Sequence, residues 1–549
     1  MSAGNLPSVV IRRILGVFLA PIRHPSLTNI SSYKSVLPLL RVNRLWRRLG
    51  SEMYCRYAIF DVYEDRPDLF DRNENDDGTA ADRLIALETC SNIPFIIAHG
   101  QTSLTKSLTI FLGNLADPDS IIGGLARYGF FDAHWSAVRD LTVIFDHYDM
   151  QQTGTFRDGA VSDLNRKLLN ALPNVCGIRY VVYLDSIYGQ PLIGDFIKER
   201  AGSLTELDFE TDAPHGLGID LLPKTLTSLR YGVGPHSTTT VFPKFFARSL
   251  KSLTLDRIGK QALQDLFFDD SILGPVEFTE LVDLSILFNY EGQDPFESLE
   301  ASAVNWPEFP RLSDLKIHIH RLDALTVLSM FPVHQLNSLA VKRGLNASCI
   351  DVSKMPKLLS LVLDMSAEDA ELLGNADMAL PIFLTPSPLR TLVLISESII
   401  RLPQDTYGCS MLEELDISRT SFSVSIIGML SGLPKLKKLV VYIASKRELG
   451  PTPVLGPSIK DSLAPVSKSL EFLNLAPTWL DLEPMYVERV AWFIARLPSL
   501  LRWQHERVFS RHMDYVSKLF DQILCSEGAQ NNDVSHLRDL SMCEDCRRF

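Results

Sequence analysis

The residues best suited to metal binding or redox chemistry are a pair of cysteines near the C-terminal end. Cys543 and Cys546 are two residues apart in a Cys-x-x-Cys pattern, and His536 is the nearest additional ligand. A structural zinc site needs four ligands at suitable spacing. A thioredoxin-type role would need the pair at a strand-to-helix turn rather than in a tail. The pattern therefore favours an ordinary tail over a metal or redox site.

An acidic stretch contains a second candidate. Asp71, Asn73 and Asn75 have the spacing of the first three ligands of a calcium-binding loop. That loop also needs Gly at its sixth position and Glu at its twelfth. Here those positions hold Asp76 and Asp82. We interpret the stretch as a solvated loop or linker.

The remaining candidates for a metal site or a catalytic site are two histidines and the motifs of common enzyme classes. His318 and His320 would share one face of a continuing strand, but no third ligand follows at a definite spacing. The sequence has no Gly-x-x-x-x-Gly-Lys loop, no Gly-x-Ser-x-Gly elbow and no His-Glu-x-x-His motif. We predict a protein that is not an enzyme and has no metal or other cofactor. The alternative is an enzyme whose site uses none of these motifs.

Composition excludes several classes of protein. The 549 residues carry a net charge of −12, which argues against a nucleic-acid binder. Eight scattered cysteines are typical of a reduced, intracellular chain rather than a disulfide framework. No apolar window reaches the ~18 residues of a membrane span, so no membrane partner is expected. Arg12, Arg13 and the apolar run 14–22 resemble a targeting peptide but lack a clean cleavage site. We predict a cytoplasmic or nuclear protein, or one found in both.

A repeat organises most of the chain. The pattern Leu-x-x-Leu-x-apolar recurs at intervals of 22 to 34 residues, the period of leucine-rich repeats. The clear copies begin at Leu204, Leu226, Leu250, Leu281, Leu312, Leu336, Leu358, Leu389, Leu412, Leu436 and Leu470, and the weaker ones at Val138, Val175, Leu500 and Leu537. Proline just before several copies, as at Pro310, Pro356 and Pro434, discourages a helix there. We predict an α/β solenoid with parallel strands on a concave face and helices on the convex face.

The repeat is irregular in one respect. Many such arrays carry Asn three residues after the last apolar position of the pattern, where its side chain satisfies backbone groups of the turn. In the eleven clear copies only Asn289 meets this expectation. The sequence does not show what replaces that interaction.

The N-terminal segment follows another pattern. Leu-Pro is followed by apolar residues at helical spacing, and a second apolar stretch ends in Trp-Arg-x-Leu. This order resembles the F-box, a helical module of substrate adaptors in cullin-type ubiquitin ligases. It differs in having Ser8 and Val9 where an acidic residue is usual, and in a longer first connection. The resemblance implies that a Skp-type linker protein binds Leu6, Pro7, Ile11, Ile14, Leu15, Leu37, Leu40, Val42 and Trp46.

Charge distinguishes this segment from the remainder. Residues 1–60 carry nine Lys and Arg against one Glu, whereas the whole chain is acidic. A basic head suits an acidic partner surface. The alternative is that residues 1–62 only cap the solenoid, since an end repeat needs a cover. We assign residues 1–62 to an all-α head, 63–135 to an acidic linker and capping segment, and 136–549 to the solenoid with a C-terminal helical segment.

Outward strand positions should form the partner surface of the solenoid. The expected strip is mainly acidic in the early repeats, apolar in the middle and mixed in the late ones. We predict that a protein substrate binds Asp208, Arg230, Ala340, Val362, Val393, Ile395, Asp416, Lys438 and Tyr442. An exposed apolar patch usually marks a contact site. Alternatively, a loop or the segment 487–524 covers it.

These features together predict a substrate-recognition adaptor of a Skp–cullin–F-box type ubiquitin ligase. The head would bind the linker protein, and the concave face would hold a protein target near the catalytic subunits. The alternative is a leucine-rich-repeat scaffold that works without a ligase. The identity of the substrate is not encoded in any recognisable motif.

Overall fold

The structure is a computed structural model in which two compact units divide the chain, residues 1–281 and 282–549. It describes residues 7–19, 42–61, 91–112, 118–146, 160–183, 194–211, 223–233, 247–256, 276–287, 306–319, 324–344, 350–365, 386–396, 409–420, 429–443, 465–477 and 493–505, with isolated positions elsewhere. Leu6, Leu37, Leu40, the calcium-like stretch, His320 and the Cys543/Cys546 pair lie outside the described residues.

The first unit contains a parallel sheet whose strands follow the order of the chain. Its described strands are β1 (Tyr57–Asp61), β2 (Ser107–Leu112), β3 (Asp140–Asp146), β4 (Gly177–Tyr183), β5 (Glu206–Thr211), β6 (Ser228–Val233) and β7 (Ser252–Asp256). Its described helices are α1 (Ser8–Leu19), α2 (Arg44–Tyr54), α3 (Ile93–Ala98), α4 (Pro118–Arg127), α5 (Ala160–Ala171) and α6 (Gly194–Arg200).

The second unit repeats this organisation. Its described strands are β8 (Asp283–Leu287), β9 (Asp314–His318), β10 (Ser338–Gly344), β11 (Ser360–Met365), β12 (Thr391–Ser396), β13 (Glu414–Thr420), β14 (Lys438–Ile443), β15 (Phe472–Pro477) and β16 (Arg502–His505). They too pair in parallel with their neighbours in the chain. The described helix α7 (Ala324–Leu328) lies between β9 and β10. The α/β solenoid architecture is thus confirmed.

The leucines of the repeat form continuous buried rows. In register, Leu315, Leu339 and Leu361 are adjacent across β9 to β11, and each is at most 2% exposed. The last apolar residue of each copy, such as Ile317 and Val341, forms a second buried row. Because successive strand residues point to opposite faces, the residues between them face outward. The predicted register is therefore correct for the clear copies. Leu537 is an exception, since it is buried and helical rather than the start of a strand.

One backbone arrangement joins each repeat to the next. The carbonyl oxygen two residues before the first buried leucine of a strand accepts hydrogen bonds from two successive amides of the following repeat. Arg139 O, for example, accepts from the amides of Cys176 at 2.9 Å and Gly177 at 3.0 Å. We call the residue that supplies this carbonyl the junction residue. The arrangement recurs from Arg56 to Thr227 in the first unit and from Val282 to Glu471 in the second, so backbone hydrogen bonds alone align consecutive repeats within each unit.

Hydroxyl groups supply some of the hydrogen bonds that join successive repeats. Thr225 Oγ1 donates to Leu204 O at 2.6 Å, Ser249 Oγ to Leu226 O at 2.9 Å, and Ser469 Oγ to Leu436 O at 2.9 Å. Each hydroxyl sits just before the first buried leucine of its repeat. Small polar residues just before the strand thus help to hold neighbouring repeats together.

The repeat also extends towards the N-terminus beyond the predicted copies. Strands β1 and β2 pair in register, with Ala58 opposite Leu108, and β2 pairs with β3. Their first buried positions hold Cys55 and Thr105 instead of leucine, and both are fully buried. Thr105 Oγ1 donates to Cys55 O at 2.8 Å, which satisfies its hydroxyl in the core. These strands lie in the ranges that the sequence assigned to the head and linker.

Arginine 200 satisfies the C-terminal end of a neighbouring helix. Its Nη2 atom donates to Leu169 O at 2.6 Å and to Leu172 O at 3.1 Å, at the end of α5. The last carbonyls of a helix have no partner within the helix, and a cation also interacts favourably with the helix dipole there. This bond fixes α6 against α5.

Candidate functional site

The outward face of the second unit carries an apolar strip in register. Ala340, Val362 and Val393 are directly adjacent across β10 to β12, and Ile395 lies two residues beyond Val393 on β12. All four side chains are partly exposed rather than buried. The predicted strip therefore exists and remains partly accessible.

Charged residues border this strip on both sides. Lys316 is opposite Ala340 on the β9 side, and Asp416 is opposite Val393 on the β13 side. Strands are about 4.8 Å apart, so Lys316 and Asp416 are roughly 19 Å apart along the row. A partner segment lying across the strands would meet a cation, three aliphatic side chains and a carboxylate in that order. We call these five residues, with Ile395, the central strip.

The strip ends at a buried residue and two polar ones. Val440 follows Asp416 in the row and is only 7% exposed, so the accessible part of the row ends there. Lys438 is exposed, and its Nζ lies 3.1 Å from Glu414 Oε2, so it is already engaged in an ion pair. Tyr442 lies on β14 opposite Ala476, and its side chain is outside the described residues.

Asp416, at the end of the central strip, has a carboxyl group whose pKa is raised by burial. The carboxyl of Asp416 lies between Val393 and Val440, and burial raises its pKa above the ordinary value of 3.8. The ammonium of Lys438 offsets part of this effect. A desolvated carboxylate gains from meeting a cation, so this residue is a favourable contact for a basic group of a partner.

Replacing Asp416 with asparagine is expected to stabilise the second unit at neutral pH. As pH rises above 3.8, the unfolded chain loses this proton before the folded unit does, so the free energy of unfolding falls through that window. Asparagine does not ionise, so the free energy of unfolding of the variant does not fall in this window. Thermal unfolding midpoints of the parent and variant, measured from acid to neutral pH, should diverge as pH rises.

Asp351 provides a control of opposite sign. Hydrogen bonds from Ser353 lower the pKa of its carboxyl. Its stabilising contribution is present above its unfolded pKa and lost as pH falls, so Asp351→Asn should destabilise the unit at neutral pH. A lower midpoint for Asp416→Asn at neutral pH would contradict the prediction and show that attraction to Lys438 outweighs desolvation.

The outward face of the first unit carries a different arrangement. Arg179, Asp208 and Arg230 are adjacent in register across β4 to β6, and Asp256 lies on β7. Arg179 Nε is 3.1 Å from Asp208 Oδ2, and Arg230 Nη2 is 2.8 Å from Asp256 Oδ2. The predicted substrate residues Asp208 and Arg230 therefore belong to an alternating charge ladder. Sequence reasoning expected a mainly acidic strip here and did not consider Arg179.

Burial governs the electrostatics of this ladder. It raises the pKa of Asp208, while the guanidinium groups of Arg179 and Arg230 offset part of that effect. The ladder has two cations and two anions, and each charge lies within ion-pair distance of an opposite one. It can orient a polar partner, but its net charge does not select a basic or an acidic one.

Part of this outward face is already buried. Val181 is 1% exposed and Ile144 is 7% exposed, although both occupy outward positions of β3 and β4, and Ile59 packs against them. Val181 and Ile144 are thus unavailable to a partner. Nothing in the repeat pattern distinguishes them from the accessible strip in the second unit.

The helical head forms a packed pair. Ile11 and Leu15 on α1 are fully buried, and Trp46 and Leu49 on α2 are at most 4% exposed. Arg12 Nη2 and Glu52 Oε2 form an exposed ion pair at 2.8 Å between the helices. Asn43 caps α2 by accepting from the amide of Trp46 at 2.9 Å.

Burial divides the predicted linker-binding residues into two groups. Ile11, Leu15 and Trp46 are buried within the protein, and Ile14 is partly exposed. Pro7 and Val42 are exposed. Two valines outside this predicted set are also exposed on α1: Val9 at 75% and Val10 at 40%. A partner could reach Pro7, Val9, Val10 and Val42 without disrupting the pair.

The described part of the chain holds no evident catalytic or metal site. No group of three or more His, Cys, Asp or Glu residues there is placed to hold a metal ion. Burial raises the pKa of the Cys55 thiol to about 11 and that of Cys409 to about 12, so both are inert core thiols. None of the described helices is both long and apolar enough to cross a membrane.

Comparison with known proteins adds no identification. No protein-family model matches the chain, and no curated protein matches it.

Proposed function

We propose that this protein is a substrate-recognition adaptor of a Skp–cullin–F-box type ubiquitin ligase. The observation that carries the proposal is the central strip, a partly exposed apolar row bordered by Lys316 and Asp416. Apolar anchors surrounded by charges are typical of protein-recognition surfaces. A protein target would bind there, on the second unit.

The helical head supports a second binding function. Its resemblance to an F-box rests on the residue order described above, and α1 and α2 pack as an amphipathic pair. In this proposal, Val9, Val10, Pro7 and Val42 supply the accessible apolar contacts to the Skp-type linker protein. Apolar anchors of a short helix in a partner groove are a recurring mode of recognition.

Such an adaptor performs no bond chemistry itself. Binding a target at one unit and a ligase at the head keeps a target lysine near another subunit's reactive thioester. The effective concentration of the two groups rises because the second encounter becomes intramolecular.

One observation favours a second candidate, a scaffold that works without a ligase. Helix α2 ends at Tyr54, and Cys55 is the first buried position of the first repeat. Tyr54 packs edge-on against Phe95 with ring centroids 5.6 Å apart. The head is thus continuous with the first repeat, as a cap would be.

A pull-down with exposed-surface variants should separate the two functions. Ile11→Asp would place a carboxylate in the α1–α2 interface, and loss of a partner would then not differ from loss of the fold. Val9→Asp with Val10→Asp changes only exposed side chains. The parent protein is expected to recover linker and cullin subunits from cell extract, and this variant to lose them.

Two further variants complete the experiment. Leu325→Asp makes the same chemical change at a side chain 41% exposed on α7 and should recover the parent set of partners. Val362→Asp with Val393→Asp should lose target proteins while retaining the ligase subunits. Recovery of no linker or cullin by the folded parent would reject the adaptor function and favour the scaffold.

A further inference from the structure

Three cations occupy equivalent positions in the first three repeats. Arg56, Lys106 and Arg139 are the junction residues just before β1, β2 and β3. The amide of Lys106 donates to Arg56 O and that of Arg139 to Lys106 O, both at 2.8 Å, so the residues are direct neighbours. All three side chains are exposed. We call them the basic row.

Such a row is unfavourable for the fold itself. Like charges directly opposite each other on adjacent strands are destabilising. The whole chain is acidic, with a net charge of −12, so three aligned cations are not a consequence of composition. A local arrangement that opposes stability is expected at functional sites.

The second unit shows the stabilising alternative at the same repeat position. There the junction residues Arg390, Glu413 and Lys437 alternate in sign. Arg390 Nη1 is 3.6 Å from Glu413 Oε1, and Lys437 Nζ is 3.0 Å from Glu413 Oε2. One glutamate thus neutralises two neighbours. The fold therefore accommodates alternation at this position, and the first unit departs from it.

The basic row is also without anionic partners in the described part of the chain. Arg56 and Lys106 make no ion pair there, and Arg139 donates only to a neutral carbonyl, Asn174 O at 3.2 Å. Farther along the sheet, the junction residues Thr205 and Thr227 carry no charge. Each donates its hydroxyl to the carbonyl oxygen of the preceding junction residue. The positive charge is thus concentrated at one end of the first unit.

We propose that the basic row binds an acidic helix of a protein partner. The cations are about 4.8 Å apart, the spacing of adjacent strands. Carboxylates three or four residues apart on a helix have Cβ atoms about 5–6 Å apart. Side chains on one face of an extended segment are about 6.6 Å apart and match the row less well.

A labelled peptide provides the direct test. The probe is an alanine-rich helical peptide with three glutamates on one face, and its control has the same composition with the glutamates distributed around the helix. Fluorescence anisotropy with the full chain at low salt should show tighter binding of the one-face peptide. Lys106→Glu should weaken that binding about tenfold or more, and added salt should weaken it too.

Lys251→Glu is the matched control. It makes the same charge change at the equivalent position before β7. Lys251 is exposed, and its amide donates to the carbonyl oxygen of the neutral Thr227. Its affinity for the peptide should stay within about twofold of the parent because it is remote from the row. Equal weakening by both variants, or equal affinity for the two peptides, would overturn the proposal by showing only a general charge effect.

Stability and a second probe distinguish the remaining outcomes. Lys106→Glu recreates the alternation of the second unit, so its thermal midpoint should equal or exceed that of the parent. A clearly lower midpoint would mean that the row has a structural role and would overturn the proposal. Tighter binding of a single-stranded oligonucleotide than of the peptide, lost in Lys106→Glu, would assign the row to nucleic acid instead. None of these outcomes depends on ligase binding.

Discussion

Trp135→Ala is expected to destabilise the first unit by about 3–5 kcal/mol, because large-to-small changes at fully buried aromatic residues leave a cavity. Trp135 is fully buried, and its ring lies 4.9 Å from that of Phe130. Its Nε1 atom donates to Phe130 O at 2.9 Å, within the turn that follows α4. The side chain thus joins packing and a backbone hydrogen bond in the segment that leads to β3.

The two contributions can be separated. Trp135→Phe keeps much of the packing but leaves the Phe130 carbonyl without this donor, and should cost about 1–3 kcal/mol. Thermal unfolding and hydrogen exchange of residues 130–146 would measure both variants. Equal stability of the parent and the alanine variant would show that this turn does not contribute to the stability of the first unit.

Asn92→Ala is expected to open the first strand. Asn92 is 5% exposed, and its Nδ2 atom donates to Tyr57 O at 2.7 Å while its Oδ1 atom accepts from the amide of Ile59 at 2.7 Å. Strand β1 begins the sheet and pairs with β2 on its other side. The asparagine side chain therefore satisfies the edge that a further strand would otherwise occupy. Losing both bonds should cost about 2–4 kcal/mol.

The effect should be local as well as large. Amides of Tyr57 to Asp61 should exchange with deuterium much faster in Asn92→Ala, with little change in β8 to β16. Asn92→Asp keeps an oxygen that accepts from the Ile59 amide but places a carboxylate oxygen against the Tyr57 carbonyl. It should therefore destabilise β1 at least as much as Asn92→Ala does. Asn337→Ala replaces an exposed asparagine and is the control, which should leave amide exchange in β1 unchanged. Unchanged exchange in β1 would contradict the proposed edge function.

The sequence predicted those parts of the fold that depend on side-chain periodicity. Leucine spacing placed β3 to β16 because apolar residues at the first, fourth and sixth positions form the core. It missed β1 and β2, where Cys55 and Thr105 fill the first position. A buried threonine is acceptable there only because its hydroxyl donates to Cys55 O. That partner is 50 residues away in sequence, so no local pattern indicates it.

The candidate sites were predictable to a smaller extent. The central strip followed from the alternation of inward and outward positions. Accessibility did not, since Val181 and Val440 occupy the same kinds of position as Val362 and yet are buried. Side-chain direction is a property of the strand, whereas burial depends on what lies over it. The basic row was also missed, because its residues are aligned only when the register across strands is known.

The junction carbonyls have a mechanical consequence. Among the described strands, each contacts its neighbours in chain order, and each junction residue holds only the repeat that follows it. Tension applied to the chain ends would therefore load these small connections in series rather than a single shared core. Each unit should yield one repeat at a time, since its repeats are stabilised by nearest neighbours. The first buried positions of successive repeats are 22 to 50 residues apart, so a force-extension trace should show increments of roughly 70–180 Å of released chain, at about 3.3–3.6 Å per residue.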